Sequence, residues 1–181
     1  MYTYINVSHR TSLAVTASRW RKRRGFLFHT SMGSDSLGWL QGGSAKEGTP
    51  ASADFLIKPD GKIYQITRPG WYSYHSGRAI FEGLQDPDGS LNQSLIGIEL
   101  ECPEQRGYKI TDPQYIGLAA LCRELTVFHE LSDPIFTTHR YVALPKGRKQ
   151  DPIFFDNEVF MREHYDPSKE AALYIFPEVL P

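Results

Sequence analysis

Six histidines, at positions 9, 29, 75, 129, 139 and 164, are the side chains best suited to chemistry in this chain. Imidazole ligates metals and moves protons near neutral pH, but a metal centre needs two or three such groups to converge with a carboxylate or thiolate. The sequence contains no HExxH helix, no cysteine pair near a histidine pair, no GxSxG elbow and no glycine-rich phosphate loop. The common zinc-peptidase, zinc-finger, serine-hydrolase and P-loop chemistries are thereby set aside. Two histidines stand out by position. His29 follows Gly25-Phe26-Leu27-Phe28 and His139 follows Phe136-Thr137-Thr138, so each closes a predicted strand, where sites collect in α/β sheets. Downstream, Lys149 and Asp151 are two residues apart, and Pro152 biases Asp151 toward extended backbone, which puts an ammonium and a carboxylate on one face. The bland alternative for each of these histidines is a satisfied or merely exposed ring.

The elements that must position these groups are legible in the apolar pattern. Gly25 to His29 reads as a strand covered on both faces. Ala53 to Lys58 and Lys62 to Thr67 flank Pro59-Asp60-Gly61, a turn signal that predicts a β-hairpin. Leu95 to Glu101 alternates, with Ile96, Ile98 and Leu100 on one face and Gly97, Glu99 and Glu101 on the other. Between Thr111 and Glu130, Tyr115, Leu118, Cys122 and Leu125 recur at helical spacing, with a Thr111/Gln114 capping box and Pro113 in the first turn. Ile135 to Thr138 reads as a short strand, and Pro145 and Gly147 open a loop before Asp151. A short helix is expected around Ser36 to Gln41, and another from Asp166-Pro167 onward. Interleaved strands and helices predict an α/β (α+β) fold with a central mixed sheet flanked by helices.

Composition narrows the class further. A length of 181 residues with 40% hydrophobic content fits one domain, residues 1–181, with its own core and no need for disulfides. Cys102 and Cys122 lack the spacing of a zinc ribbon or redox pair and are expected to be buried as small hydrophobes. Twenty basic against twenty-one acidic residues leave a net charge of −1, with no general pull toward nucleic acid or an anionic membrane. The basic run Arg19, Arg21, Lys22, Arg23 and Arg24 reads as a solvated entrance to a strand, with a polyanion patch as the alternative. No leader-like apolar segment and no transmembrane segment is visible, so the chain is expected to be soluble and cytoplasmic as synthesised.

Several motifs in order carry a resemblance. Phe28-His29-Thr30-Ser31, Ser52-Ala53-Asp54-Phe55-Leu56-Ile57 with Asp60-Gly61, His75-Ser76-Gly77-Arg78, Ile96-Gly97-Ile98-Glu99, Thr138-His139-Arg140 and Gly147-Arg148-Lys149-Gln150-Asp151-Pro152 resemble the type 2 N-acetylmuramoyl-L-alanine amidases, relatives of peptidoglycan recognition proteins. The likeness spans residues 24–156. It implies one zinc ion and hydrolysis of the amide joining the lactyl group of N-acetylmuramic acid to L-alanine, in peptidoglycan or a muropeptide, by a recycling enzyme or phage endolysin.

Carried onto this sequence, the resemblance makes His29, His139 and Asp151 the zinc ligands. Two neutral imidazoles and one carboxylate leave a net +1 centre with an open fourth position, an arrangement that acidifies a water. It makes Glu99 the general acid/base and Lys149 a stabiliser of the developing oxyanion. On that view Glu101 is the solvated member of its strand face. His75 and Arg78 become substrate-contact candidates, as does Asn92, whose alternative is a turn role. Trp71, Tyr72 and Tyr74 either stack on substrate or pack. Asp54 and Ile153 depart from the family pattern, and the tail from Glu158 onward matches nothing in it. No wall-binding module is visible, and a monomer is expected. The rival expectations are a non-catalytic peptidoglycan-binding module and a zinc peptidase acting on stem peptides.

Overall fold

A computed structural model describes residues 4–18, 22–31, 33, 35–155 and 157–166. Its strands are β1 (Tyr4–Asn6), β2 (Thr16–Ser18), β3 (Gly25–Thr30), β4 (Phe55–Ile57), β5 (Ile63–Gln65), β6 (Trp71–Ser73), β7 (Leu95–Leu100) and β8 (Ile135–Thr138). Its α-helical segments are α1 (Ser36–Gly38), α2 (Ser44–Lys46), α3 (Asp112–Phe128), α4 (His139–Val142) and α5 (Asn157–Val159). Trp39–Gly43 joins α1 to α2 as a wider helical turn, so the predicted Ser36 to Gln41 helix is present and extends further.

Six strands form one sheet in the order β1-β5-β4-β7-β3-β8, and β2 pairs with β6 in a separate ribbon. β4 and β5 are antiparallel across the predicted turn, whereas β4, β7, β3 and β8 run parallel, which makes the sheet mixed as expected. The hairpin turns at Gly61, where φ is +81° and an added Cβ would lie 2.8 Å from the Pro113 carbonyl oxygen. Only glycine satisfies both that backbone and that approach.

The alternation of β7 separates two interiors. Ile96, Ile98 and Leu100 join Phe26, Phe28, Phe55 and Ile57 against Leu118, Leu121, Cys122 and Leu125 of α3. The predicted capping box is complete: Thr111 Oγ1 accepts from Gln114 N at 3.3 Å, and Gln114 Oε1 accepts from Thr111 N at 3.1 Å. Gln114 is fully buried and its amide also donates to the Ile57 and Glu101 carbonyls, each at 3.1 Å, which ties the start of α3 to the sheet. Cys102 and Cys122 are both buried and unbridged, as their spacing suggested.

The sequence reading misses two features of this core. Arg23 is not solvated: it is buried, with Nη2 3.5 Å from Asp54 Oδ2 and Nη1 donating to the Asn92 and Leu95 carbonyls at 2.9 and 2.7 Å. Asp54 in turn accepts from Gly97 N, Ser73 N and Thr67 Oγ1 at 2.9, 3.1 and 3.1 Å. A charge is tolerated inside only when paired and hydrogen-bonded, and these partners come from segments distant in sequence. In the same run Lys22 and Arg24 are exposed, while Arg19 and Arg21 lie outside the described residues. The second feature is Asn157–His164, which is helical and inserts a fully buried Phe160 among Phe28, Phe155 and Tyr115. The helix expected beyond Asp166 lies outside the described residues apart from its first position.

Phe160 sits 5.6 Å, ring centre to ring centre, from both Phe28 and Phe155. Phe160→Ala is therefore expected to lower stability by about 3–5 kcal/mol, the cost of removing a buried aromatic. Denaturant melts read by tryptophan fluorescence measure it, and a loss below about 1 kcal/mol contradicts the packing.

Candidate metal centre

Parallel pairing sets the histidines level with one another. On β3, Leu27 and His29 face away from Phe26 and Phe28 because successive residues alternate across the sheet. The register places His29 opposite Glu99 on β7 and Phe28 opposite Thr138 on β8. His139, the next residue and the first of α4, thus falls beside His29 at the same ends of three parallel strands. Asp151 reaches the pair from the loop after α4, and its carbonyl accepts from Arg140 N at 2.9 Å.

Three atoms converge. His29 Nδ1 and His139 Nδ1 are 3.0 Å apart, and Asp151 Oδ2 lies 3.1 Å from the second and 3.6 Å from the first. A tetrahedral zinc with bonds of about 2.0–2.2 Å separates its ligand atoms by about 3.3–3.6 Å, so the triangle fits such an ion to within a few tenths of an ångström. A proton is a poor substitute in the gap. Burial, and after it the adjacent His139, pushes the His29 pKa down to about 4.

A buried carboxylate outside the triangle braces it. Glu104 Oε2 accepts from Thr30 Oγ1 at 2.6 Å and from Ile153 N at 2.8 Å, and Oε1 accepts from Phe154 N at 3.0 Å. Thr30 follows His29 and Ile153 lies two residues beyond Asp151, so one side chain couples the strand and loop that carry two of the three ligand atoms. Nothing in the local sequence Cys102-Pro103-Glu104 signals that role, because its partners are 49 to 74 residues away.

Glu99 and Lys149 stand beside the triangle. Burial first, and the negative charge of Asp151 second, raise the Glu99 pKa to about 8, while the Lys149 ammonium opposes that shift. Lys149 itself is exposed. Glu101, expected to be solvated, is instead buried, with Lys58 Nζ 2.6 Å and Ser36 N 3.3 Å from Oε2. The first turn of α1 and the hairpin cover that end of the strand, an effect of tertiary packing that strand alternation does not register.

The expected substrate-contact residues separate. His75 lies against the triangle, with Nδ1 3.2 Å from His29 Nε2 and the two rings edge to face. Asn92 is buried and does not reach it; its Oδ1 accepts from His75 N, Ser76 N and Ser76 Oγ at 3.0, 2.8 and 3.0 Å. Arg78 is exposed, and its carbonyl accepts from Arg148 Nη2. Trp71 has the Arg68 guanidinium over its ring and lines a cavity of about 230 Å³ near Arg23, Phe55, Leu125 and Phe128, while Tyr72 is buried. That cavity adjoins the starts of β4 and β7 and is lined by His129, whereas His29, His75 and His139 do not line it. Gly97 is a residue the sequence reading left without a role: a Cβ there would meet His75 Cγ at 2.5 Å. Glycine inside a strand is a signal of such close approach. Of the other histidines, His9 is exposed and His164 stacks on Tyr115 at 4.9 Å.

Two outcomes are expected from this geometry. Glu104→Ala should weaken zinc binding by about 10- to 100-fold, the range for loss of a ligand-supporting partner, as read by chelator competition; unchanged affinity contradicts the bracing. In chelator-treated protein, Glu99 keeps its proton to about pH 8 when folded but only to its ordinary value of 4.5 when unfolded. The folded state thus binds more protons between those limits, and stability falls as pH rises through them. Glu99→Gln should remove that loss, so its melting temperature should match the parent near pH 4 and exceed it by several degrees at pH 8. Parallel melting curves contradict the assignment.

A family model described as N-acetylmuramoyl-L-alanine amidase matches residues 9–154. The 1,6-anhydro-N-acetylmuramyl-L-alanine amidase AmpD of Salmonella typhimurium is 35% identical over 101 residues, 56% of this chain and 50% of that protein. AmpD of Enterobacter cloacae is 33% identical over the same length, so the chain spans about half the length of the curated relatives it matches. Among solved structures, a selenomethionine AmpD superposes with a TM-score of 0.66 at 22% identity, over 87% of this chain and 92% of that one. The Drosophila peptidoglycan recognition protein SA gives 0.65 at 16% identity, over 91% and 94%. With the fold, the order of motifs and most of the length in agreement, the chain belongs to the N-acetylmuramoyl-L-alanine amidase family.

Proposed function

We propose that this chain is a zinc-dependent amidase that cleaves the bond between the lactyl group of N-acetylmuramic acid and L-alanine in peptidoglycan or muropeptides. The observation that carries the reading is the triangle of His29, His139 and Asp151 with Glu99 on the adjoining strand. Zinc, when bound, polarises the scissile carbonyl and acidifies a water. Glu99 holds and moves the protons. With its pKa raised by burial to about 8, Glu99 as the carboxylate accepts a proton from the attacking water and, as the carboxylic acid so formed, delivers it to the leaving amine. The water oxygen bonds to the carbonyl carbon, the C–N bond breaks, and L-alanine leaves with a free amino group. Lys149 sets a positive charge beside this centre, where it favours negative charge developing on the carbonyl oxygen.

A second reading, a peptidoglycan-binding module without catalysis, is favoured by the likeness to the Drosophila recognition protein. Retention of Asp151, Glu99 and Lys149 around one centre supports the enzyme instead, because binding alone requires no proton carrier. No helix among the described residues is long and apolar enough to cross a membrane. The name of the AmpD relatives supports 1,6-anhydro-N-acetylmuramyl-L-alanine compounds among the substrates.

The test is release of free peptide from purified muropeptides and from stripped sacculi by zinc-loaded protein. Glu99→Gln should retain one zinc per chain and lose about 10²–10⁴-fold in rate, the usual contribution of a general acid/base, while His139→Ala should lose both metal and turnover. Intact substrate in the presence of stoichiometric zinc overturns the enzymatic reading, and full activity in Glu99→Gln overturns its acid/base role.

A further inference from the structure

His75 lies behind a ligand rather than in front of a substrate. Its Nε2 is 3.2 Å from the Leu95 carbonyl oxygen, and a carbonyl can only accept. The proton of the neutral ring must therefore sit on Nε2, which leaves Nδ1 a lone pair. That lone pair faces His29 Nε2 at 3.2 Å, so His29 Nε2 must donate and His29 Nδ1 must carry a lone pair into the triangle. His139 follows the same rule by a shorter route, since its Nε2 is 3.1 Å from the Ser76 carbonyl oxygen. One dipeptide, His75-Ser76, thus stands behind both histidines. Asn92 Oδ1 pins it by accepting from both backbone N–H groups, and Arg148 Nη2 donates to the Ser76 carbonyl at 3.0 Å.

We propose that His75 is a positioning residue: its Nδ1 fixes His29 in the Nε2–H tautomer and thereby aims the His29 Nδ1 lone pair at the metal. This rests on the zinc reading of the triangle. It also accounts for Gly97, which leaves room for the His75 ring where a methyl would come within 2.5 Å of Cγ. A free histidine in water populates both tautomers, and a ligand held in the wrong one must reorganise before it binds. Outer partners of this kind alter metal affinity by about 10- to 100-fold when removed. A substrate-contact role for His75 would instead alter KM and leave zinc affinity untouched.

The experiment compares the parent protein with His75→Phe, which keeps ring shape without nitrogen, with His75→Asn, whose Oδ1 replaces the Nδ1 acceptor, and with Gly97→Ala, which displaces the ring. Zinc affinity is read by chelator competition, and the His29 tautomer in metal-free protein by side-chain ¹⁵N NMR. The expected result is a single Nε2–H form of His29 in the parent, a loss of about 10- to 100-fold in zinc affinity with mixed tautomers in His75→Phe and Gly97→Ala, and recovery to within several-fold in His75→Asn. Unchanged zinc affinity in His75→Phe overturns the proposal. So does an Nδ1–H form of His29 in the parent, or equal weakening in the Phe and Asn variants at equal thermal stability. A parent that binds zinc with the Nε2–H tautomer but cleaves no muropeptide overturns the amidase reading and leaves this one standing; a parent that binds no zinc overturns both.

Discussion

The register of three parallel strands is the constraint on which the site depends. β3 sits between β7 and β8, and its pairing brings His29 level with Glu99 and with the start of α4. Strand periodicity is two, so a slip of one residue would turn His29 toward α3 and a phenylalanine toward the metal position. Burial enforces the register. Phe26 and Phe28 on one face and Leu27 on the other are all fully buried, and any shift would exchange apolar and polar positions on both faces at once.

Among the described residues, several buried carboxylates are each met by more than one donor. Asp54 accepts from three groups besides its Arg23 partner, Glu104 from three, and Glu101 is covered by Lys58 and the first turn of α1. Each of these carboxylates joins segments that no local interaction connects, and Asp54 and Glu104 have both oxygens engaged. Glu99 differs: among the described residues it has no side-chain hydrogen bond or ion pair, and burial, with the charge of Asp151 added, raises its pKa against the opposing pull of Lys149. Within one sheet the same side-chain type therefore serves as mortar when its oxygens are occupied and as a proton carrier when they are left open.

The ligand triangle shows the complementary principle. Its three atoms lie 3.0–3.6 Å apart, and the groups behind the histidines, His75 Nδ1 and the Ser76 carbonyl, face their outer nitrogens. The strands and Glu104 hold the three atoms at that spacing, where a cation placed among them would meet a donor from each side chain. This links the rigidity of the fold to the strength of the site, since the same sheet that buries the phenylalanines holds the donors in place.

Much of this was legible in the chain itself. Alternation in Leu95 to Glu101, the Pro59-Asp60-Gly61 turn and the Thr111/Gln114 box are local signals whose physics is complete within a few residues, and each appears as expected. His29, His139 and Asp151 were recognisable because strand ends and motif order mark them, and they do converge. Composition and periodicity, however, describe a residue's neighbours in sequence. The burial of Arg23 and Glu101, the insertion of Phe160, the bracing by Glu104 and the place of His75 behind His29 all depend on partners tens of residues away. Residue types and strand faces were set by the sequence alone; which polar groups are occupied, and which are left open for chemistry, was decided only when the folded sheet brought distant donors and acceptors within about 3 Å, the range at which hydrogen bonds form.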